Sequence, residues 1–337
     1  MNIRSILGCA IFLISLCAGA FSQDTQKRAA EMLERARHLT DIRSANAPAF
    51  RLKATFSFVG EALETVQGTY TEVWVSKTQW RKEVAAGDAL HTEVGQSRKL
   101  WKFDKGAVLP EKARTVPEIM EMFPQNSAKL EFDSVSYHAE ANPPSRCAIT
   151  KGGQSKIRSA FCFDKNGVLL QRITPGFRAW NLFAYSCDYG GFRKFGDYWF
   201  PRQMACYEDR HKSIEVTVTD LVIESSPDPA LFMPLAGGVE LDLCPTGRTP
   251  PIPMSTPAAQ YPLGADDGLV GPVVLSVIVD EKGKPQNITL LRPQRKKFDD
   301  SAVAAVRGWR FKPATCEGRP IAIQFSVEVG FTRFLPH

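Results

Sequence analysis

The sequence has no uninterrupted apolar run of the roughly 20 residues needed to span a bilayer. It also has no Lys/Arg block in its mature part and no Cys-x-x-Cys pair. Each absence closes off a class of function. With 42 basic against 36 acidic residues, the net charge of +6 is too diffuse for nucleic-acid binding. It leaves only weak attraction to anionic lipid or to an acidic partner surface. The five histidines (His38, His91, His138, His211, His337) are scattered, so zinc is a poor alternative for the cysteines. Catalytic motifs are equally scarce. Ser186-Cys187-Asp188 has no recognisable base arrangement. Lys151-Gly152-Gly153-Gln154-Ser155-Lys156 lacks the full spacing of a phosphate loop and reads as a turn. Asp299 and Asp300 are neighbours on a helix and do not face one another, so they read as first-turn residues favoured by the helix dipole. No cofactor or metal is implied, and an enzyme is not expected.

What is present is a globular composition, 44% apolar and 23% charged over 337 residues, enough for two domains. The chain opens with Arg4, an apolar run from Ile6 to Cys17, and the small-x-small step Ala18-Gly19-Ala20. That layout predicts a secretory signal peptide over residues 1–20 and a periplasmic location. A retained inner-membrane anchor and lipid attachment at Cys17 are the alternatives. Six cysteines then remain: Cys147, Cys162, Cys187, Cys206, Cys244 and Cys316. In an exported chain an even number reads as disulfides, and six cysteines allow fifteen pairings. Pairing of sequence neighbours is expected: Cys147–Cys162 and Cys187–Cys206 within local hairpins or adjacent strands, Cys244–Cys316 across the segment between domains.

The periodicity divides the chain further. Ala29, Met32, Leu33, Ala36 and Leu39 fall on one stripe of a helix beginning near Asp24. From Phe50 the pattern turns to strands rich in β-branched and aromatic residues, joined by short turns through Phe103. A helical interruption is expected at Val116–Phe123, with strands again at Ala160–Ile173 and at Ile214–Thr219. Residues 24–236 therefore read as a large, curled, mostly antiparallel sheet, an open half-barrel with covering helices. Residues 237–267 hold Pro245, Pro250, Pro251, Pro253, Pro257 and Pro262 and read as a semi-rigid extended linker. Residues 268–337 read as a three-stranded antiparallel sheet with one helix. Its strands are Val273–Asp280, Gln286–Leu291 and a final strand in which Ile321, Ile323, Phe325, Val327, Val329 and Phe331 alternate with smaller or polar residues. The fold class expected is mixed α+β. A sheet with so few strands exposes its edges, and an uncovered edge accepts another strand.

The small domain resembles the TonB C-terminal domain family. The likeness rests on the Gly283 turn, Trp309-Arg310-Phe311-x-Pro313, Gly318-x-Pro320 and the alternating last strand. It implies an envelope protein partner, the N-terminal segment of an outer-membrane transporter, bound by strand pairing along Ile321, Ile323, Phe325, Val327 and Val329. Energy-transducing members use a membrane helix with a polar residue and a long extended span. Here a large folded domain stands in that place, so a plain docking module is implied as readily as a transducer. The first domain resembles the LolA-like carriers that ferry lipoproteins across the periplasm, through its N-terminal helix, its meander, Gly196-Asp197-Tyr198-Trp199-Phe200-Pro201 and Leu231-Phe232-x-Pro234. That resemblance implies a lipid or lipoprotein ligand, with Phe56, Phe58, Tyr70, Trp74, Trp80, Trp101 and Phe103 lining an apolar pocket. The alternative is that these aromatics are simply core.

Overall fold

The computed structural model describes residues 6–60, 63–123, 130–151, 158–178, 181–262 and 271–331. The phosphate-loop-like stretch 152–156, residues 263–267 of the proline-rich segment and residues 1–5 of the leader lie outside them. Helix α1 (Ile6–Thr40) is continuous, so the stripe expected from Asp24 is the second half of a longer helix. Strands β1 (Phe50–Val59), β2 (Thr65–Ser76), β3 (Gln79–Ala86), β4 (Ala89–Gln96) and β5 (Lys99–Lys105) form the expected meander. The helical interruption is two single turns, α2 (Glu111–Arg114) and α3 (Val116–Met120). Next come β6 (Phe132–His138), β7 (Ser145–Thr150), β8 (Ala160–Phe163), β9 (Leu169–Arg178) and β10 (Asn181–Gly190). The short hairpin β11 (Arg193–Phe195) and β12 (Tyr198–Phe200) precedes β13 (Gln203–Glu208) and β14 (His211–Ile223). The chain continues as β15 (Val239–Asp242), β16 (Arg248–Thr249), β17 (Ile252–Ser255), β18 (Val273–Val279), β19 (Pro285–Arg292) and α4 (Lys296–Gly308). It closes with β20 (Arg310–Lys312), β21 (Ala314–Cys316), β22 (Arg319–Ile321) and β23 (Ile323–Val329).

The fold is mixed α+β. Thirteen of the described strands share one sheet, in the order β15-β5-β4-β3-β2-β1-β14-β13-β10-β9-β8-β7-β6, and β19-β18-β23 form a separate three-stranded sheet. By internal contacts the chain divides into two compact units. One comprises Met1–Ser44, Glu121–Gly176 and Leu182–Glu215; the other comprises Ala45–Met120, Phe177–Asn181 and Val216–His337.

In the first unit, α1 lays Ala29, Leu33 and Ala36, each at most 3% exposed, against β6, β7 and β8. Small alanines allow the close approach. Gln26 fixes the position along the helix: its amide donates to Leu130 O at 3.1 Å and its carbonyl accepts from Phe132 N. Cys147–Cys162 joins β7 to β8 and Cys187–Cys206 joins β10 to β13. In both cases the cysteines are direct cross-strand partners.

In the second unit, β1 alternates strictly, with Phe50, Leu52, Ala54, Phe56 and Phe58 buried on one face. α4 lies across β18, burying Phe298, Ala302 and Val306 against Val273, Leu275, Val277 and Val279. This helix is the one expected in the small domain, and it ends at Gly308, just before the Trp309-Arg310-Phe311 stretch. The described part of the proline-rich segment is extended, but β15 at its start joins the large sheet beside β5 and the rest is paired along the small domain instead of spanning open space. β16 pairs with β21, and β17 pairs with β20. Proline lacks an N–H yet still accepts, which suits such edge pairing. Trp309 Nε1 donates to Pro257 O at 3.0 Å, Ser301 Oγ donates to Gln260 O at 2.6 Å, and Tyr261 packs edge-on against Phe298. Cys244–Cys316 staples the start of this segment to β21.

Chain-entropy arithmetic orders the disulfides. Removing Cys244–Cys316, with a sequence separation of 72, should lower unfolding free energy by about 4 kcal/mol, against about 3 kcal/mol for Cys147–Cys162, with a separation of 15. Urea unfolding of paired Cys→Ala variants reads the difference. A smaller loss for the longer loop would show that unfolded-chain entropy is not the source.

Candidate functional site

Two surfaces are candidate sites, the border of β23 and the buried face of the β1–β5 meander. In the three-stranded sheet β18 is central and buried throughout. Strand β23 pairs with it from Val273↔Val329 to Val279↔Ile323, and among the described residues no strand adjoins its other border in that sheet. Phe325, Val327 and Val329 pack onto the core under α4, and Phe325 meets Phe311 edge-on at 5.8 Å. With these side chains turned inward, the strand offers its backbone. Ile321 does not belong to this strand. The chain breaks at Ala322, and Ile321 is buried in β22, packed with Cys244, Ala314 and Cys316. The opposite border, on β19, is less regular: its pairing with β18 shifts register twice, and Asn287 has φ 45°. Such irregularity protects an edge from strand addition. Residues of β15 approach β23, with Cα atoms within 8 Å.

The motif residues shape this border. Gly283 has φ +77°, and a Cβ there would lie 1.7 Å from the carbonyl oxygen of Phe311. Phe311 N in turn donates to Gly283 O at 2.9 Å, so the β18–β19 turn is hydrogen-bonded to β20 through a gap that only glycine fits. Asp280 completes the turn by accepting from Lys282 N, Lys284 N and Gln286 Nε2. Burial would raise its pKa, but these donors outweigh it and hold the carboxyl below the usual range. Trp309 ties α4 to Pro257, and Arg310 caps carbonyls of Arg307 and Trp309. Pro313 separates β20 from β21. Gly318, at φ +83°, makes the turn into β22, where Pro320 pairs with Thr315.

On the meander's buried face the register sets three rows. One is aromatic: Phe50 opposite Trp74, Trp74 opposite Trp80, and Trp80 opposite Gly95. The Trp80 indole occupies the space of a missing Cβ, which would lie 2.5 Å from it. Phe56, Phe58, Tyr70 and Trp74 are at most 7% exposed and Trp80 is half-buried, whereas Trp101 and Phe103, opposite Val94 and Thr92, alternate with Lys102 and lie on the other face, so they do not join the expected lining. Leu109, Ala113, Val116, Ile119 and Met120, all at most 1% exposed, come from the α2–α3 segment, which packs on β3. The second row is charged, and sequence reasoning missed it: Glu72 lies opposite Lys82, Lys82 opposite Glu93, and Glu93 opposite Lys102. The two-residue turns between these strands carried the signal, since they fix which residues face each other. Tyr70 OH donates to Glu72 at 3.0 Å, and Lys102 Nζ meets Glu93 at 2.6 Å.

The third row places His91 between two carboxylates, Nδ1 2.8 Å from Asp104 and Nε2 3.3 Å from Glu93. Arg114 of α2 reaches Asp104 at 3.7 Å. Burial would lower the His91 pKa, but the hydrogen bonds and charges of Asp104 and Glu93 hold it above the ordinary value. Burial would likewise raise Glu93, yet Lys102 and His91 hold it far below the usual carboxylate range; Asp104 is lowered by His91, Arg114 and Lys102 against the same effect. Among the described residues no group of three or more His, Cys, Asp or Glu is placed to hold a metal ion. No helix among them is long and apolar enough to cross a membrane.

Residues 257–332 match the family described as Gram-negative bacterial TonB protein C-terminal. The three-stranded sheet with α4 is thus a TonB C-terminal domain, and the match begins within the proline-rich segment. No curated protein matches the chain. Among solved structures it is similar to an outer membrane lipoprotein-sorting protein domain from Vibrio parahaemolyticus, at 11% identity and TM-score 0.39, over 61% of this chain and 97% of that one. A LolA superfamily protein from Nitrosomonas europaea gives 11% identity and TM-score 0.40 over the same shares. A DUF1329 family protein from Desulfovibrio piger gives 12% identity and TM-score 0.36, over 63% of this chain and 97% of that one. These are distant likenesses, from which neither ligand nor partner follows. The disulfides and the match to a Gram-negative TonB C-terminal family mark a periplasmic protein.

The His91 row should show in the pH dependence of stability. A raised histidine pKa contributes stability that is complete below about 6.5 and is lost as pH rises through the folded value. The depressed carboxylates Glu93 and Asp104 contribute above their ordinary values of 4.5 and 3.8, and that contribution is lost as pH falls. His91→Gln should flatten the decline above pH 6.5 in urea midpoints while leaving an acid decline. An unchanged alkaline limb would remove His91 as its cause.

Proposed function

We propose that this periplasmic protein is a carrier-type binding protein whose C-terminal domain docks it onto an envelope partner by strand addition at β23. The observation that carries the docking half is the border of β23, which has one strand neighbour, inward-turned apolar side chains and regular pairing along its whole length. The partner class is the N-terminal segment of an outer-membrane transporter, as the family match supports. A guest strand gains about 0.5–1.5 kcal/mol per backbone hydrogen bond, so four or five bonds give a weak, reversible grip before the entropy of ordering is counted. The carrier half is favoured by the rings gathered on one face of the meander, Phe50, Phe56, Phe58, Tyr70, Trp74 and Trp80, with a segment of two single helical turns packed on β3 and reaching Phe58. An acyl chain is the ligand class that fits an aromatic and aliphatic lining.

Synthetic peptides from transporter N-terminal segments should be captured by the full chain. Backbone N–H groups alternate in direction along a strand, so of Phe325 and Ser326 one N–H faces β18 and the other faces the free border. Proline at the border-facing position should abolish capture while leaving the melting temperature nearly unchanged; proline at the other should lower the melting temperature. Capture that survives the border-facing proline rules out strand addition at β23. For the carrier half, native mass spectrometry of protein purified without detergent should show an added mass in the phospholipid or acylated-peptide range. Ligand-free protein that also takes up no fatty-acid probe would eliminate it.

A further inference from the structure

Helix α2 is a single turn in which charged side chains point to different elements. Lys112 Nζ donates to Val59 O at 3.2 Å and sits 5.9 Å from the centre of the Phe58 ring. Arg114 reaches Asp104, and Ala113 is buried. Glu111 points to the small sheet, where Arg292 Nη1 donates to its Oε2 at 3.3 Å. Arg292 ends β19 and lies in one cross-strand row with Val274 and Glu328, and its Nη2 is 3.7 Å from Glu328 Oε1 on β23. One guanidinium therefore links the segment over the aromatic face to the docking strand. The link is unsaturated: Nε and Nη2 of Arg292 are buried without a hydrogen-bond acceptor. Buried unmet donors cost free energy, so the closed pair is held with little surplus.

The neighbouring strand supplies the reason for release. Hydrogen-bonded strands lie about 4.8 Å apart, so a guest lying between β23 and β15 needs about 10 Å between them. Residues of β15 stand within 8 Å of β23, and Asp242 at the end of β15 is 4.0 Å from Arg319 in the strand preceding it. The guest fits there only if the small sheet moves away from β15, and a shift of a few ångströms exceeds the reach of the Arg292–Glu111 bond.

We propose that Arg292 is a latch: its pairs with Glu111 and Glu328 hold β23 beside β15 and α2 over the aromatic face, and docking of a guest strand breaks the Glu111 pair and frees the cover. The inference rests on the reading of β23 as the docking border, and it adds that docking and opening of the apolar face are one event.

Hydrogen–deuterium exchange on the full chain tests it. Glu111 is partly exposed, so Glu111→Gln should fold. It should raise exchange about tenfold in both 109–120 and 323–329, as expected for loss of a charge-assisted bond. A rise confined to 109–120, with 323–329 unchanged, overturns the latch. A transporter N-terminal peptide added to the wild-type protein should lower exchange at 323–329 and raise it at 109–120. Protection at 323–329 with 109–120 unchanged overturns the latch and leaves strand addition standing. Absence of peptide capture together with joint opening in Glu111→Gln upholds the Arg292 link and removes the docking reading.

Discussion

Cross-strand register is the constraint on which most of this structure depends. In an antiparallel sheet, the residue opposite each position is fixed once a turn is set, and every side chain then belongs to one row on one face. From the short turns of the β1–β5 meander follow a ring row, a charge row and the His91 row. The same rule sets Cys147 opposite Cys162 and Cys187 opposite Cys206, so two covalent bonds form between residues already neighbours. Register also explains how Glu72 and Lys82, at 0% and 8% exposure, are tolerated on a buried face. Each lies beside a residue of opposite charge, and Tyr70 supplies a hydrogen bond to Glu72.

Much of this was legible in the sequence because period and composition act locally. Strict alternation in β1 and β23, the Ala-Met-Leu stripe of α1 and the neighbour pairing of the cysteines all express short-range rules. What was not legible depended on long-range placement. Strand β6 lacks a clean alternation, since Asp133, Ser134 and Ser136 interrupt it. The proline-rich segment has a composition that says extended but not what it lies against. Ile321 shares the period of the last strand, yet its partners in the Cys244–Cys316 cluster take it into β22. The charge row needed turns to be counted across four strands, and no single strand displays it.

The family motif acquires a physical meaning here. Gly283 is required because the carbonyl of Phe311 sits where a side chain would begin, and Trp309 anchors both α4 and the segment at Pro257. These contacts position β18 and β23 without touching the free border. They frame the border proposed for docking, and that border is main chain. Recognition of that kind tolerates side-chain change on the strand and depends on its straightness and accessibility.

The staple between Cys244 and Cys316 has a mechanical consequence. Cys244 follows β15 by two residues and Cys316 precedes β22 by three, so the sulfur bridge bypasses the 72-residue separation between them. Under the proposed docking, tension on the final strand would reach the margin of the large sheet through β22 and the bridge as well as through β18. The bridge gives such a pull a covalent route beside the hydrogen-bonded one through β18.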